Sequence, residues 1–431
     1  METIINKSEQ SLIQVNKEEC EFKVSRRAFL DQDILELEKR KVFDKCWLYL
    51  GHESEVANNG DFIMRDVGGR NLIFNKDSNG EIHAFLNTCP HRGALVCRDR
   101  RGNSKTFQCF YHAWTFNNKG QLIGQPGARD GYPKDVNCDG SLNLYEVPRL
   151  ESYRGMIFIN FDINAVGLEE YLAGAKEYID LIMDQSEVGM EILGGTHEYS
   201  VRANWKLLCE NSADGYHGLP THATYFQYLT ETNKNGKMPA PGTNYNEAKD
   251  LGNGHSVTEK NMLPWGRPVA RWVPSMGEKA KHDIEKIQQR LIERFGEKRA
   301  KRIYENDYNM IIFPNLVINN IMAITIRTFY PIEPGYMEVN QWALAPKEEN
   351  TEFKSRRLNN YLEFLGPGGF ASPDDNEALE LCQQGYANAN EVKWNDISKG
   401  MNKELRGEVP HSSDEYHMRV FWTRWNEMLT K

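Results

Sequence analysis

Cys89-Pro90-His91-Arg92-Gly93, followed by Cys109-Phe110-Tyr111-His112, is the stretch on which the reading of this chain turns. Each half offers one thiolate and one imidazole, as Cys-x-His and then Cys-x-x-His, with seventeen residues between His91 and Cys109. Two cysteines and two histidines suit a tetrahedral zinc ion. They also suit a two-iron, two-sulfur cluster with both cysteines on one iron and both histidines on the other. Zinc fingers pair Cys with Cys and His with His, whereas each short loop here donates one of each, so the spacing favours the cluster.

Around this stretch the chain has the makings of a small antiparallel β domain. Asn59-Gly60, Asn79-Gly80 and Lys119-Gly120 are hairpin-turn signals between short apolar runs such as Leu72–Phe74 and Ile82–Phe85. The two ligand loops are expected at hairpin tips, and Met156–Phe161 closes the domain. Before it, residues 23–50 read as helical, with Ile34, Leu35, Leu37 and Val42 at helical spacing. After it, 163–194 returns to a helical pattern, Glu198–Val201 reads as a strand and Trp205–Cys209 starts a helix. Residues 234–273 read as a long irregular segment, and 278–305 as one amphipathic helix striped by Ile284, Ile287, Leu291 and Phe295. Met310–Ala345, broken at Glu333-Pro334-Gly335, reads as several antiparallel strands. Helices are expected at Arg356–Leu365, at about Asn376–Tyr386, and at Ser412–Leu429 with a Ser412/Glu415 capping box.

Composition narrows the function classes. The 431 residues are enough for two domains with sizeable cores. A net charge of −9 without a basic run argues against nucleic acid as a partner. No apolar run approaches the ~20 residues of a membrane helix. The start of the chain lacks the apolar core of a signal peptide, and Cys20, Cys46, Cys97, Cys138, Cys209 and Cys382 show no disulfide framework, which together fit a cytoplasmic protein.

A second constellation lies at Asp214-Gly215-Tyr216-His217-Gly218-Leu219-Pro220-Thr221-His222. Two histidines five apart point ~140° away from each other on a regular helix. Gly218 and Pro220 supply the break that lets both face one metal. Alone, His-x4-His is weak. With a one-electron centre upstream, a second redox site is expected, and two histidines with a carboxylate leave open positions on ferrous iron. The carboxylate candidates are Asp374 and Asp375, which follow Gly366-Pro367-Gly368-Gly369-Phe370-Ala371-Ser372-Pro373; as plain structure they read as helix caps.

Taken in order, these motifs resemble the catalytic α subunit of Rieske non-haem iron ring-hydroxylating oxygenases, from about residue 24 to the end. The resemblance implies an α+β fold: residues 1–45 as a helical segment packing with the catalytic domain, 46–162 as the Rieske domain, and 163–431 as a catalytic domain with an antiparallel sheet flanked by helices. It implies Cys89, His91, Cys109 and His112 as ligands of a [2Fe-2S] cluster, and His217, His222 and Asp375 as ligands of a mononuclear Fe(II). Asp214 matches the family's bridging acid, which links a cluster histidine of the neighbouring subunit, here its counterpart of His112, to an iron-ligand histidine. Glu210–Asp214 has one residue fewer between its polar residue and the acid than many hydrocarbon dioxygenases of the family, so no role is carried over to Asn211.

The Ser-Pro-Asp-Asp-x-Glu-Ala-Leu-Glu run looks more like members acting on aromatic acids, of the cumate, terephthalate or salicylate type. The implied activity is dihydroxylation of an aromatic carboxylate with O2 and electrons from a reductase or ferredoxin, NAD(P)H being the ultimate donor. Leu219, Phe226, Phe313, Ile318, Phe364, Phe370 and Ala371 are the pocket candidates, and Arg267, Arg271 and Arg327 the candidates for a substrate carboxylate. The family implies an α3β3 assembly with a small β subunit, or α3. A Rieske monooxygenase is the alternative. A pure electron carrier would leave everything after about residue 165 unexplained.

Overall fold

The computed structural model describes residues 11–132, 136–232, 246–261, 272 and 276–430, the side chains of 129 and 130 excepted. The chain divides into two compact units, Phe43–Tyr171 and the remainder. The fold is α+β, with the smaller unit antiparallel β and the larger an antiparallel sheet with helices.

The smaller unit is built of three antiparallel sheets. Ile82–Leu86, Arg70–Lys76, Asp61–Val67 and Arg101–Asn103 form one, in that order. Leu122–Gly124, Thr115–Asn117 and Thr106–Gln108 form the second, and Arg149–Tyr153, Met156–Asn160 and Leu48–His52 the third. The Asn79-Gly80 and Lys119-Gly120 turns each join neighbouring strands. At Gly120, φ is +76° and an added Cβ would lie 2.6 Å from the Phe85 ring, so the turn needs glycine twice over. Asn59-Gly60 leads into Asp61–Val67 but makes no hairpin, because Leu48–His52 before it pairs with Met156–Asn160. The expected end at 162 is also too early: the Trp47 indole donates to the Val166 carbonyl and the Leu168 amide to Glu151, which tie the following turn to this unit.

The larger unit is organised on a seven-stranded antiparallel sheet. Its spatial order is Met190–Val201, Tyr336–Pro346, Ile324–Glu333, Leu316–Asn320, Asn306–Ile312, His255–Asn261 and Asn246–Gly252. Three of these strands correct the sequence reading. Asn246–Gly252 and His255–Asn261 lie where an irregular segment was expected. They are polar in sequence because Glu259 is buried as a hub, accepting from Tyr178, Lys249, Arg302 and Asn306. Met190–Val201 takes residues expected to be helical, with a bulge at Gly194-Gly195. The long charged helix is two, Gly277–Phe295 and Glu297–Glu305, broken at Gly296 with φ +76°.

The N-terminal segment is mostly not helical. Glu21–Ser25 is a strand between Ile13–Asn16 and Trp394–Asp396, and Gln32–Glu38 is the α-helix. That helix ends on Glu38, which is fully buried with the Lys206 ammonium and the Trp205 and Trp425 indoles around its carboxylate at 2.6–2.8 Å. The last helix runs Tyr416–Thr430. Ser412 and Glu415 form no capping box; the Ser412 carbonyl accepts from Gly215 and the Glu415 carboxylate from Lys399. Its apolar face is core: Trp422 packs on Phe29 and Phe421 on Trp205.

Candidate metal centres

The two Cys/His loops repeat one backbone device. Cys89 N–H donates to Ala94 O and Gly93 N–H back to Cys89 O; Cys109 N–H donates to Trp114 O and Ala113 N–H back to Cys109 O, all at 2.8–2.9 Å. Thr106–Gln108 and Thr115–Asn117 hold the second loop as a hairpin tip. The first loop is not one, because Ile82–Leu86 and Arg101–Asn103 lie at opposite edges of their sheet. Cys89 and Cys109 are buried in an apolar cluster with Val96, Phe107, Trp114 and Phe116. Burial above all pushes the Cys89 thiol up, with the Cys109 thiol as its neighbour. The imidazoles of His91 and His112 meet with centroids 4.4 Å apart, and Trp114 stacks on His91 at 4.8 Å. His91 Nδ1 is buried with no partner among the described residues. Thiol beside thiol and imidazole beside imidazole fits a cluster with two cysteines on one iron and two histidines on the other.

The second centre assembles from three helices. Asn204 caps Trp205–Ala213, its side chain accepting from the Lys206 amide, and the chain then leaves the helix at Asp214. His217 precedes the single turn Gly218–Thr221, and His222, at φ −100° and ψ 28°, separates that turn from Ala223–Thr232. This break turns both rings inward. The helix carrying the aspartates starts at Ala371, so Asp374 and Asp375 lie inside its first turns and are not caps. His217, His222 and Asp375 bring one ligand atom each within 4.8 Å of one another. Asp375 Oδ1 lies 3.4 Å from His217 Nε2 and 3.3 Å from His222 Nε2.

Each imidazole turns its other nitrogen to a second carboxylate. His217 Nδ1 is 3.1 Å from Asp214 Oδ2, and His222 Nδ1 is 3.4 Å from Asp374 Oδ2. Such partners fix ring orientation and raise ligand basicity. Asp214 is itself held by the Tyr216 amide at 2.7 Å. The Asp374 pairing was missed from sequence, although the Asp-Asp doublet was its signal. Asn211 was also missed: its Nδ2 donates to Asp375 Oδ1 at 3.0 Å and lies 3.3 Å from His217 Nε2.

These contacts set the charge of the site. Burial pushes the His217 imidazole down, but its bonds to Asp214 and Asp375 outweigh that and lift it to about 9. Burial raises Asp375, and the two histidines outweigh it and hold the carboxyl well below the usual range. The metal-free cage thus holds a proton where a dication fits. Because His217 is raised from 6.5 to about 9, its contribution to stability is complete below pH 6.5 and is lost as pH rises through about 9. Metal-free protein is therefore expected to lose more thermal stability between pH 6.5 and 9 than a His217→Gln variant does. Parallel loss in both would refute this. Over the same interval Fe(II) affinity should rise with pH, with proton release.

The pocket candidates fall in different places. Phe364 lies 6.3 Å from the His222 ring, and Phe364 and Phe370 pack on Tyr225 at 5.0 and 5.3 Å. Phe226 joins that cluster, and Ala371 packs on Ala343 and Tyr361. Leu219 is 66% exposed. Phe313 is core, its ring on Phe421 of the last helix. Ile318 is paired with Ile326, while its neighbour Val317 is opposite Arg327. Strand alternation therefore turns Ile318 to the sheet face away from Arg327. Arg327 is buried and donates to Ser212 Oγ; Arg267 and Arg271 lie outside the described residues.

Residues 46–148 match the Rieske [2Fe-2S] domain, and 184–431 match the ring-hydroxylating α subunit catalytic domain. The 2-halobenzoate 1,2-dioxygenase large subunit of Burkholderia cepacia is 33% identical over 392 residues, 90% of this chain and 82% of that one. Toluate 1,2-dioxygenase subunit alpha of Pseudomonas putida is 33% identical over 404 residues, 92% and 86% of the two chains. The crystal structure of naphthalene 1,2-dioxygenase from Rhodococcus sp. bound to indole superposes with a TM-score of 0.81 at 28% identity, over 94% of each chain. A Rieske domain joined to this catalytic domain defines a Rieske non-haem iron oxygenase, an oxidoreductase whose resident groups are a [2Fe-2S] cluster and a mononuclear iron. The chain belongs to the family of ring-hydroxylating dioxygenase α subunits.

Proposed function

We propose that this chain is the large subunit of a multicomponent dioxygenase that converts a benzoate-type aromatic acid to its cis-dihydrodiol, taking both oxygen atoms from O2 and two electrons from NAD(P)H through a reductase. Cys89, His91, Cys109 and His112 hold the cluster, and His217, His222 and Asp375 hold the iron. The convergence of those last three side chains, with one ligand atom each within 4.8 Å of one another, is the observation that carries the reading. The acid preference is drawn from the relatives, named for halobenzoate and toluate.

When bound, the cluster supplies electrons singly and the iron activates oxygen. The chain's own residues do the rest. Asp214 and Asp374 orient the two imidazoles so that each Nε2 faces inward. Asn211 holds Asp375 by its Oδ1, which fixes the carboxylate. Phe364, Phe370 and Tyr225 form an aromatic wall beside His222 that keeps water away and offers ring faces to a flat substrate. The partners are a reductase, with or without a ferredoxin, and further α chains in an α3β3 or α3 ring, so that Asp214 faces a neighbour's His112. No helix among the described residues is long and apolar enough to cross a membrane.

The test is product analysis with purified enzyme, a surrogate reductase and isotopically labelled O2. Benzoate-type acids are expected to give a diol carrying two labelled atoms, at rates well above those of neutral arenes. One labelled atom would make the enzyme a monooxygenase, and equal turnover of neutral arenes would remove the acid preference.

A further inference from the structure

One row of polar side chains in the larger unit has no role in the centres described so far. His197 pairs with Gln341 across two strands, and Gln341 with Arg327 across the next. Directly opposed residues project to the same face, so the three stand side by side. That face is the one under the Thr351–Phe364 helix, whose Tyr361 ring meets that of His197. Ala343, two residues from Gln341, packs with Tyr361, Leu365 and Ala371 of the Thr351–Phe364 and Ala371–Gly385 region.

Gln341 and Arg327 are buried, His197 is half-buried, and the row is short of partners. Gln341 is fully buried, and among the described residues neither its Oε1 nor its Nε2 has a partner. The buried Tyr361 hydroxyl and His197 Nδ1 have none either, and the two rings lie 5.2 Å apart. Arg327 is 6% exposed. Among the described residues its guanidinium has one side-chain hydrogen bond, to Ser212 Oγ at 2.9 Å, and no carboxylate pairs with it. The other buried Lys and Arg side chains among the described residues of this unit are matched: Lys206 by Glu38, Arg357 by Glu349 and Arg419 by Glu404. A buried charge without a counter-charge is unfavourable unless another group supplies one.

The row also adjoins the iron cage. Ser212 follows Asn211, which reaches Asp375 and the ring of His217. Ala371, which packs on Tyr361, opens the helix that carries Asp375. Asp214, Asp374 and Asp375 together outweigh the charge of one dication, so the loaded cage offers an acid substrate no net positive charge and the cation has to come from elsewhere.

We propose that Arg327, with Gln341 and Tyr361, is the seat for the substrate's carboxylate. The guanidinium, the amide N–H and the phenol O–H donate to the two carboxylate oxygens, and the aromatic ring points back toward His217 and His222. This rests on the aromatic-acid reading above and gives it a residue.

The experiment is calorimetric binding of benzoate and of benzamide, its neutral isostere, to the metal-loaded protein and to an Arg327→Met variant, with thermal midpoint and the visible spectrum of the cluster as fold controls. The variant is expected to bind benzoate about 10- to 100-fold more weakly and benzamide within about threefold of wild type. Turnover should show the loss in KM more than in kcat. Wild-type protein that binds benzoate while Arg327→Met binds it equally well overturns the seat and leaves the aromatic-acid reading intact. Equal weakening for both ligands also overturns it, since that marks a structural role. Wild-type protein that takes benzamide and refuses benzoate overturns the acid reading, and the seat with it. If Arg327→Met does not fold, Gln341→Leu and Tyr361→Phe decide: each should weaken benzoate by about 3- to 10-fold, and unchanged binding in both overturns the proposal.

Discussion

An Asp214→Ala enzyme is expected to retain both metal centres and lose about 100-fold in turnover. The carboxylate accepts from the amides of Tyr216 and His217 and holds His217 Nδ1 at 3.1 Å, so it fixes both the loop and the tautomer of the ring. The expected role is positioning, and three readouts separate that from a fold defect. Iron content and the cluster's spectrum should match wild type. Reductant should still be consumed with little product formed. Asp214→Asn should recover part of the loop geometry through its remaining oxygen without restoring activity, because an amide cannot raise the basicity of the imidazole as a carboxylate does. If Asp214→Ala couples reductant to product as wild type does, Asp214 is only a cap.

A Glu38→Ala variant is expected to destabilise the larger unit by about 3–5 kcal/mol. Loss of the carboxylate strands a fully buried ammonium on Lys206 and two indole N–H groups, on Trp205 and Trp425. Burial already pushes the Lys206 ammonium down, and Glu38 is what opposes it. Against a typical stability of about 5–15 kcal/mol, the loss should show as a large drop in thermal midpoint and in soluble yield. Removing both charges, as Glu38→Met with Lys206→Met, should recover most of it, since the cost lies in the unpaired partner. A drop below about 1 kcal/mol in the single variant would mean that water reaches the pair.

The cluster loops and the iron cage were legible because metal ligation confines residue types to short spacings. Cys89/His91 and Cys109/His112 announce themselves wherever the strands around them run. Asp374 was visible but misassigned. Helix start signals placed it at a cap, whereas the helix begins at Ala371 and leaves its carboxylate free for His222. Asn246–Gly252 and His255–Asn261 were illegible for a different reason. Their strand character comes from tertiary pairing and from the cations gathered on Glu259, neither of which leaves an alternating apolar pattern. The pocket candidates failed where local pattern is silent on direction. Ile318 and Val317 are both buried and apolar, and only the register says which shares the face of Arg327.

The strand Met190–Val201 stands last in the sheet order, and a border strand of 12 residues is a template on which another chain can add. The Gly194-Gly195 bulge, with φ of +73° and +104°, kinks that template midway. Glu191 and Glu198 place charge on either side of the kink. Copies of the subunit meeting at this border would have to recognise one another by side chains, because the backbone there cannot be extended as a continuous sheet. The kink also gives the folding chain a defence during synthesis, when the long strand is exposed and has yet to find Tyr336–Pro346, more than a hundred residues downstream.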